Sequence, residues 1–300
     1  MQEGAHEPVL LAQVVDALQI RADGLYIDAT FGRGGHARAI LARLAAQGRV
    51  MAIDRDPEAI AAGMGLVTDD VRFALRRGRF GDLHDHADAW GVAGRVDGVL
   101  LDLGVSSPQL DSATRGFSFS ADGPLDMRMD PDVGTSAAQW LAHATEQEIA
   151  DTLYQLGDER HSRRIARRIV QTRRIDPIRT TAQLAALVSR ALHAPRGRIH
   201  PATRTFQALR IRVNDEIGEL ERALAQSAQV LRPHGRLAVI SFHSIEDRVV
   251  KRFIRAQTRD TTVPGPRLTA VGRLIRPDED ECRRNPRARS ARMRVAERVA

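Results

Sequence analysis

The chain has 300 residues, 43% of them hydrophobic and 28% charged, the make-up of a globular protein with one large domain or two smaller ones. Aromatic residues are only 4%, too few for a protein that works mainly by stacking bases on aromatic side chains, and the one cysteine, Cys282, excludes an internal disulfide or a multi-cysteine metal site. The formal net charge is +7, yet residues 251–300 alone hold 14 Lys+Arg against 6 Asp+Glu, so the basic character belongs to the C-terminal part, a pattern suited to a polyanion partner.

Lys251 is the single lysine, and every other basic residue is arginine. That bias follows either from base composition or from selection for bidentate phosphate contacts. No apolar run approaches the ~20 residues that cross a bilayer. Residues 1–6 place no basic residue ahead of an apolar stretch, so no secretory signal is read and the expected compartment is the cytoplasm.

Residues 25–30 form a short apolar run that predicts a first strand. It leads into Gly32-Arg33-Gly34-Gly35 and an alanine-rich helix to about residue 46. A second strand is expected over 49–54, followed by a helix that Pro57 opens at a position tolerating its missing N–H. Weaker patterning predicts a third strand over 71–75, and a clear one follows over 96–103. Strands separated by helices of this length imply right-handed βαβ units and a parallel sheet buried on both faces.

From 111 to 213 the rhythm changes. Helical patterns run over 145–156, 161–174 and 181–192, and residues 106–134 make a loop rich in Gly, Pro, Asp and Ser. Alternation resumes with a helix over 214–231, a strand over 236–242 and a helix over 245–257. Residues 258–289 are expected to be an irregular arm, with too little apolar content to fold alone, and 290–298 a final edge strand. The reading is an α/β domain of residues 1–110 and 214–300, interrupted by an all-helical insert of residues 111–213.

The glycine turn satisfies the dinucleotide fingerprint literally, with Asp54 at the next strand end where a carboxylate binds ribose hydroxyls or merely caps the following helix. Asp28 argues against a dinucleotide. A carboxylate just ahead of the turn repels a pyrophosphate but stabilises the ammonium and sulfonium of S-adenosylmethionine. Phe80, after the third strand, either brackets an adenine or joins the core. Beyond the fourth strand, Asp102 and the loop to Gln109 supply carboxylate, hydroxyl and amide groups suited to a substrate amine.

Several long runs resemble the bacterial family of 16S ribosomal RNA (cytosine-N4) methyltransferases H, long called MraW. They include His6-Glu7-Pro8-Val9-Leu10-Leu11, Asp28-Ala29-Thr30-Phe31-Gly32-Arg33-Gly34-Gly35-His36 and Asp102-Leu103-Gly104-Val105-Ser106-Ser107-Pro108-Gln109. Further ones are Gly123-Pro124-Leu125-Asp126-Met127-Arg128-Met129-Asp130, Ser241-Phe242-His243-Ser244-Ile245-Glu246-Asp247-Arg248 and Asn285-Pro286-Arg287-Ala288-Arg289-Ser290-Ala291. The resemblance implies a Rossmann-like class I S-adenosylmethionine-dependent methyltransferase with an inserted helical domain that recognises substrate. It also implies methyl transfer to the N4 of a cytidine in the 16S rRNA decoding centre, with 16S rRNA or the small ribosomal subunit as partner. By position it assigns the cofactor site to Gly34, Gly35, His36, Asp54, Phe80, Asp102 and Gln109. Ile245, His161 and the pair Arg292-Met293 depart from the family pattern, away from those positions.

Asp102, or a backbone carbonyl of its loop, is the expected acceptor for the amine, with cofactor contact alone by Asp102 as an equal alternative. His243 and Glu246 lack a third ligand at metal spacing, so a turn or a substrate contact is expected there and no metal. His200, Arg204 and Arg210 are candidates for gripping phosphate, although Arg210 is equally placed to pair with Asp215 or Glu216. The belt Arg163, Arg164, Arg167 and Arg168 is a solvated helix face or an RNA-docking face. Arg273, Arg276, Arg283, Arg284, Arg287 and Arg289 are the stronger RNA candidates. Two other functions remain open: an RNA-binding assembly factor with a vestigial pocket, and an NAD-dependent oxidoreductase, which Asp28 disfavours.

Overall fold

The computed structural model describes residues 8–192, 200–259 and 265–300. His6 and Glu7 of the first motif, and residues 260–264 of the expected arm, lie outside them. The chain divides into two compact units, one of residues 1–104 and 217–300, the other of residues 105–216.

The first unit is built on a seven-stranded sheet. Its strands are β1 (Leu25–Asp28), β2 (Arg49–Asp54), β3 (Phe73–Arg77), β4 (Val96–Asp102), β5 (Leu231–Ser241), β6 (Leu268–Ile275) and β7 (Arg292–Arg298), in the order β3-β2-β1-β4-β5-β7-β6. The neighbours from β3 to β5 pair in parallel, whereas β7 runs antiparallel to both β5 and β6. The order and directions are those of a Rossmann-like α/β sheet with an antiparallel strand at one side.

Strand residues alternate between two cores. Ile27, Val99, Leu101, Leu237 and Val239 face one side, where α4 (Leu83–Ala89), α11 (Glu216–Val230) and α12 (Ser244–Arg259) bring Leu83, Leu220, Leu224, Val250 and Ile254. Tyr26, Val50, Leu100, Ala238 and Ile240 face the other. There α1 (Leu11–Leu18), α2 (Gly35–Leu41) and α3 (Pro57–Asp69) add Val14, Leu18, Ile40 and Leu66. A parallel sheet needs both faces covered in this way because its strands have no solvated side. Asp56 caps α3 by accepting from the Glu58 N–H, with Pro57 in the first turn.

Three expectations are corrected. The third strand starts at Phe73 and reaches Arg77, because Val71 is exposed while Phe73 is the buried anchor. The irregular arm contains β6 and a helix, α13 (Glu279–Arg284). β7 is an inner strand between β5 and β6, and β6 takes the edge. The C-terminal segment therefore folds onto the sheet, and Glu281 of α13, almost fully buried, accepts a hydrogen bond from the Leu10 N–H at 2.7 Å. Leu10 has a φ of 56°, a left-handed conformation held in part by that bond.

The second unit is helical: α5 (Ser107–Asp111), α6 (Ala137–His143), α7 (Glu146–Gly157), α8 (Ser162–Arg173), α9 (Thr181–Leu192) and α10 (Thr203–Asn214). Its core gathers Leu141, Ile149, Leu153, Ile165, Ile169, Leu184, Val188, Phe206 and Leu209. Capping boxes start α6 at Ser136 and Gln139, and α7 at Thr145 and Glu148. The loop before α6 is fastened by Asn214, whose amide donates to the carbonyls of Met127 (2.7 Å) and Arg210 (2.9 Å) and accepts from Met129 N–H (2.8 Å).

Replacing Glu281 by alanine leaves the buried Leu10 N–H without its acceptor and is expected to cost ~1–3 kcal/mol, read as a lowered midpoint in urea. Glu281→Gln keeps an acceptor and is expected to lose less. Equal midpoints for the alanine variant and the parent would remove this tie from the account.

Candidate active site

The sheet order reverses between β1 and β4, and open α/β sheets bind ligands in the crevice at such a point, beyond the carboxyl ends of the strands. Three strand ends supply carboxylates there: Asp28 closes β1, Asp54 closes β2 and Asp102 closes β4. Register fixes them, since Asp28 pairs with Ala52 on one side and Leu100 on the other.

The turn after β1 brings a cation-capable side chain to the same rim. Gly34 caps α2 with a φ of 76°, and a methyl group built on it would stand 2.6 Å from carbons of the Phe31 ring. The position therefore requires glycine twice over, by backbone and by space. Gly35 lies so close to Pro8 that a side chain there meets the proline ring at 2.2 Å. His36 follows, buried, with Nε2 3.4 Å from Asp102 Oδ2, within ion-pair range but off the line of a hydrogen bond. Both ring nitrogens of His36 and Oδ1 of Asp102 are buried without a hydrogen-bond partner among the described residues.

These groups shift one another. Burial pushes Asp28 up to about 6; the charge of His36 and the Thr30 N–H at 3.2 Å pull it down, and the negative charges of Asp102 and Asp54 push it up. Burial alone would lower His36, but the proximity and charge of Asp102, together with Asp28 and Glu281, leave it raised. Asp54 is raised mainly by burial, against the opposing donation from the N–H groups of Asp56 (2.9 Å) and Gly32 (2.7 Å). With the Arg55 N–H as a third donor, the carboxylate's roughly four acceptor sites still leave room for a further one. Thr30 joins the first and fourth strand ends, its Oγ1 accepting from the Asp102 N–H at 2.7 Å.

The structure thus groups Asp28, Gly34, Gly35, His36, Asp54 and Asp102. Phe80 starts the 3-10 turn after β3, half-buried and packed against the sheet core. Gln109 lies in the helical unit, where its Oε1 accepts from the Ser106 N–H at 2.9 Å in the capping box of α5. Serine followed three residues later by glutamine is itself the sequence signal for such a cap. Thr30 and Glu281 were not singled out as site residues. Thr30 acts through its position next to Asp28, and Glu281 acts through a tertiary contact that local patterning does not reveal.

Arg210 forms a bidentate pair with Glu216 at 2.8 Å, and Arg204 donates to the Asp158 carbonyl at the end of α7. His200 stacks on Phe119 with ring centroids 4.5 Å apart. Glu246 accepts from the N–H groups of Phe242 (2.8 Å) and His243 (3.2 Å), with His243 Nε2 3.0 Å from its other oxygen, a closed turn at the start of α12. Arg163, Arg164, Arg167 and Arg168 are all exposed on α8, with Arg167 3.6 Å from Glu146.

The chain matches the model of the MraW methylase family over residues 3–299. It is similar to proteins named ribosomal RNA small subunit methyltransferase H. The one from Thioalkalivibrio sulfidiphilus is 56% identical, with 99% of this chain and 98% of that protein covered. The one from Nitrosococcus oceani is 53% identical over 98% and 97%, and that from Methylococcus capsulatus 52% identical over 97% and 100%.

Two consequences of this geometry are measurable. Asp28 holds its proton more tightly folded than unfolded, so its contribution to stability is whole near pH 4 and is lost as pH rises to about 6. Asp28→Asn is therefore expected to match the parent in urea unfolding near pH 4 and to exceed it at pH 7 by up to ~3 kcal/mol. A variant no more stable than the parent at pH 7 would contradict the burial cost assigned to this carboxylate. Gly34→Ala is expected to lose ~1–3 kcal/mol from left-handed backbone strain, with the Phe31 contact adding to it, seen as a lower melting temperature.

Proposed function

The chain belongs to the MraW methylase family, and from that premise we propose that it transfers a methyl group from S-adenosylmethionine to the exocyclic N4 of a cytidine in the decoding centre of 16S rRNA, presented free or within the small ribosomal subunit. The observation that carries the reading is the cluster of Asp28, Asp54 and Asp102 around a single histidine at the switch point.

S-adenosylmethionine supplies an electrophilic methyl on a cationic sulfur and carries an ammonium besides. A cluster in which the charges of Asp102 and Asp54 raise the proton affinity of Asp28 gains from such positive charge. It would meet the pyrophosphate of a dinucleotide with repulsion, so the methyl donor fits these residues and NAD does not. Asp54 retains acceptor capacity for ribose hydroxyls, and within the turn Gly32 has open space where a side chain would stand, while Gly34 and Gly35 make room for Phe31 and Pro8. The buried, unpartnered atoms of His36 and Asp102 are the ones a polar ligand would satisfy. Phe80 offers an apolar face at the neighbouring strand end.

The N4 amine of cytosine is a poor nucleophile because its lone pair is delocalised into the ring. Asp102 Oδ1 is an available acceptor for an N–H of that amine. Accepting the bond lets the nitrogen pyramidalise and donate its lone pair. Most of the remaining work is alignment of nitrogen, carbon and sulfur, which can be worth ~7–11 kcal/mol. Recognition of the RNA falls to the helical unit, whose α8 carries Arg163, Arg164 and Arg168 exposed.

Asp102→Asn is expected to lower turnover on 16S rRNA roughly 100-fold, the scale of a lost proton acceptor, while calorimetry finds S-adenosylmethionine affinity within about twofold. Mass spectrometry of 16S rRNA fragments after incubation with isotopically labelled donor is expected to place the label on one cytidine N4. Intact turnover in the variant would leave Asp102 a ligand contact only, and no label on RNA from the parent protein would defeat the proposal.

A further inference from the structure

At the carboxyl end of β5, next to the end of β4 that carries Asp102, the first unit has a second concavity of opposite charge. A cavity of about 160 Å³ lies where β5 hands over to α12, lined by His243, Ser244, Arg276, Arg289, Ser290 and Arg292 with Phe242 and Ala291. Three guanidinium groups border it and no carboxylate does. The nearby acids are otherwise engaged. Asp247 holds Arg294 at 2.6 Å and Arg292 at 3.3 Å, while Glu246 is closed into the turn with His243. On α13, Glu281 accepts from Leu10 and Glu281's own N–H is capped by Asp278, while Asp280 pairs with Arg283. Arg276 and Arg289 are exposed and have no carboxylate partner among the described residues.

Arg292 is paired with Asp247, whereas Arg276 and Arg289 bring two guanidinium groups to the same cavity without a carboxylate, and an oxyanion relieves that surplus charge. Arginine forks match the tetrahedral oxygens of a phosphate bidentately. Ser290 and Ser244 place hydroxyls in the same lining, and Ser244 opens the 16-residue α12, whose first-turn N–H groups carry partial positive charge. Arg276 follows β6 and Arg289 precedes β7, so folded elements rather than a loose tail hold the two side chains.

We propose that this cavity seats one backbone phosphate of the RNA substrate, gripped by Arg276 and Arg289 with Arg292 behind them. The inference rests on the RNA reading above, and it assigns the C-terminal arginines a defined seat instead of a diffuse electrostatic role. A phosphate contact positions the strand without reading its sequence. Its signature is a loss of affinity that is uniform across sequences and carries a salt dependence.

The test is the full-length double variant Arg276→Gln/Arg289→Gln beside Arg276→Lys/Arg289→Lys, with affinity for a 16S rRNA fragment measured across a salt series. The glutamine variant is expected to bind RNA at least about tenfold more weakly at low salt, its slope of log affinity against log salt shallower by roughly 1–2. The lysine variant is expected to keep the parent slope. Melting temperature and S-adenosylmethionine affinity are expected to stay those of the parent in both. Parent-like RNA affinity and slope in the glutamine variant, with the parent still methylating RNA, would overturn the seat and leave the proposed function standing. A parent protein that neither binds nor methylates RNA would overturn both. Arginine side-chain NMR with inorganic phosphate supplies the last arm: saturation that leaves RNA affinity unchanged would mark a site for free phosphate and overturn the assignment.

Discussion

A carboxylate sealed at the end of the central strand is the constraint around which the first unit is arranged. Asp28 is 1% exposed and flanked by paired strands on both sides, so it cannot turn to water. Isolated burial of that charge would be prohibitive, and a pKa pushed up to about 6 reflects the part of the cost that remains after compensation. Compensation comes from elements placed by unrelated parts of the chain. The Thr30 N–H reaches back within the turn, and His36 is delivered by a helix that begins only because Gly34 adopts a left-handed backbone. Asp102 is fixed beside them through Thr30. Pro8 seats against Gly35, and Glu281 holds the backbone two residues further on while adding negative potential at His36. The two ends of the chain are thus engaged in shaping one crevice.

Much of this was legible in the sequence because the responsible forces are local. Unbroken apolar runs at β1, β2 and β4 mark strands covered on both faces, and the change to helical periodicity marks the second unit. What escaped was set by contacts distant along the chain. β6 reads as an arm because an edge strand buries little, and of its residues only Leu268 is fully buried. β7 pairs with β5 and β6 by reversing direction, and no residue within 292–298 encodes which neighbour lies on which side. Gln109 was assigned by resemblance in position, while the capping geometry that occupies its Oε1 follows from its spacing to Ser106. Phe80 retained both of its readings, half in the core and half out of it.

Arginine content shows the same division between what composition reveals and what only packing decides. With almost every basic residue an arginine, identity alone does not separate structural from ligand-seeking charges. Partners do. Arg210, Arg236 and Arg294 are held by Glu216, Glu297 and Asp247 at 2.6–3.1 Å, and changing one of them strands a partly buried acid. Arg276 and Arg289 border a cavity with no such acid, so their removal is expected to cost the fold little.

Seen this way, the first unit separates its charges by task. Carboxylates gather at the carboxyl ends of β1, β2 and β4, where a cationic donor would be stabilised, and guanidinium groups gather where β5, β6 and β7 meet α12, the seat proposed for an RNA phosphate. Exchanging the two would fail on both counts. Arginines at the switch point would repel a sulfonium and attract phosphate into the place the methyl donor needs, and carboxylates at the second cavity would reject an RNA strand. The burial cost retained by Asp28 is consistent with this division. A crevice relaxed to its own electrostatic minimum would already hold the positive charge it is built to receive, and its preference for a cationic ligand would be correspondingly weaker.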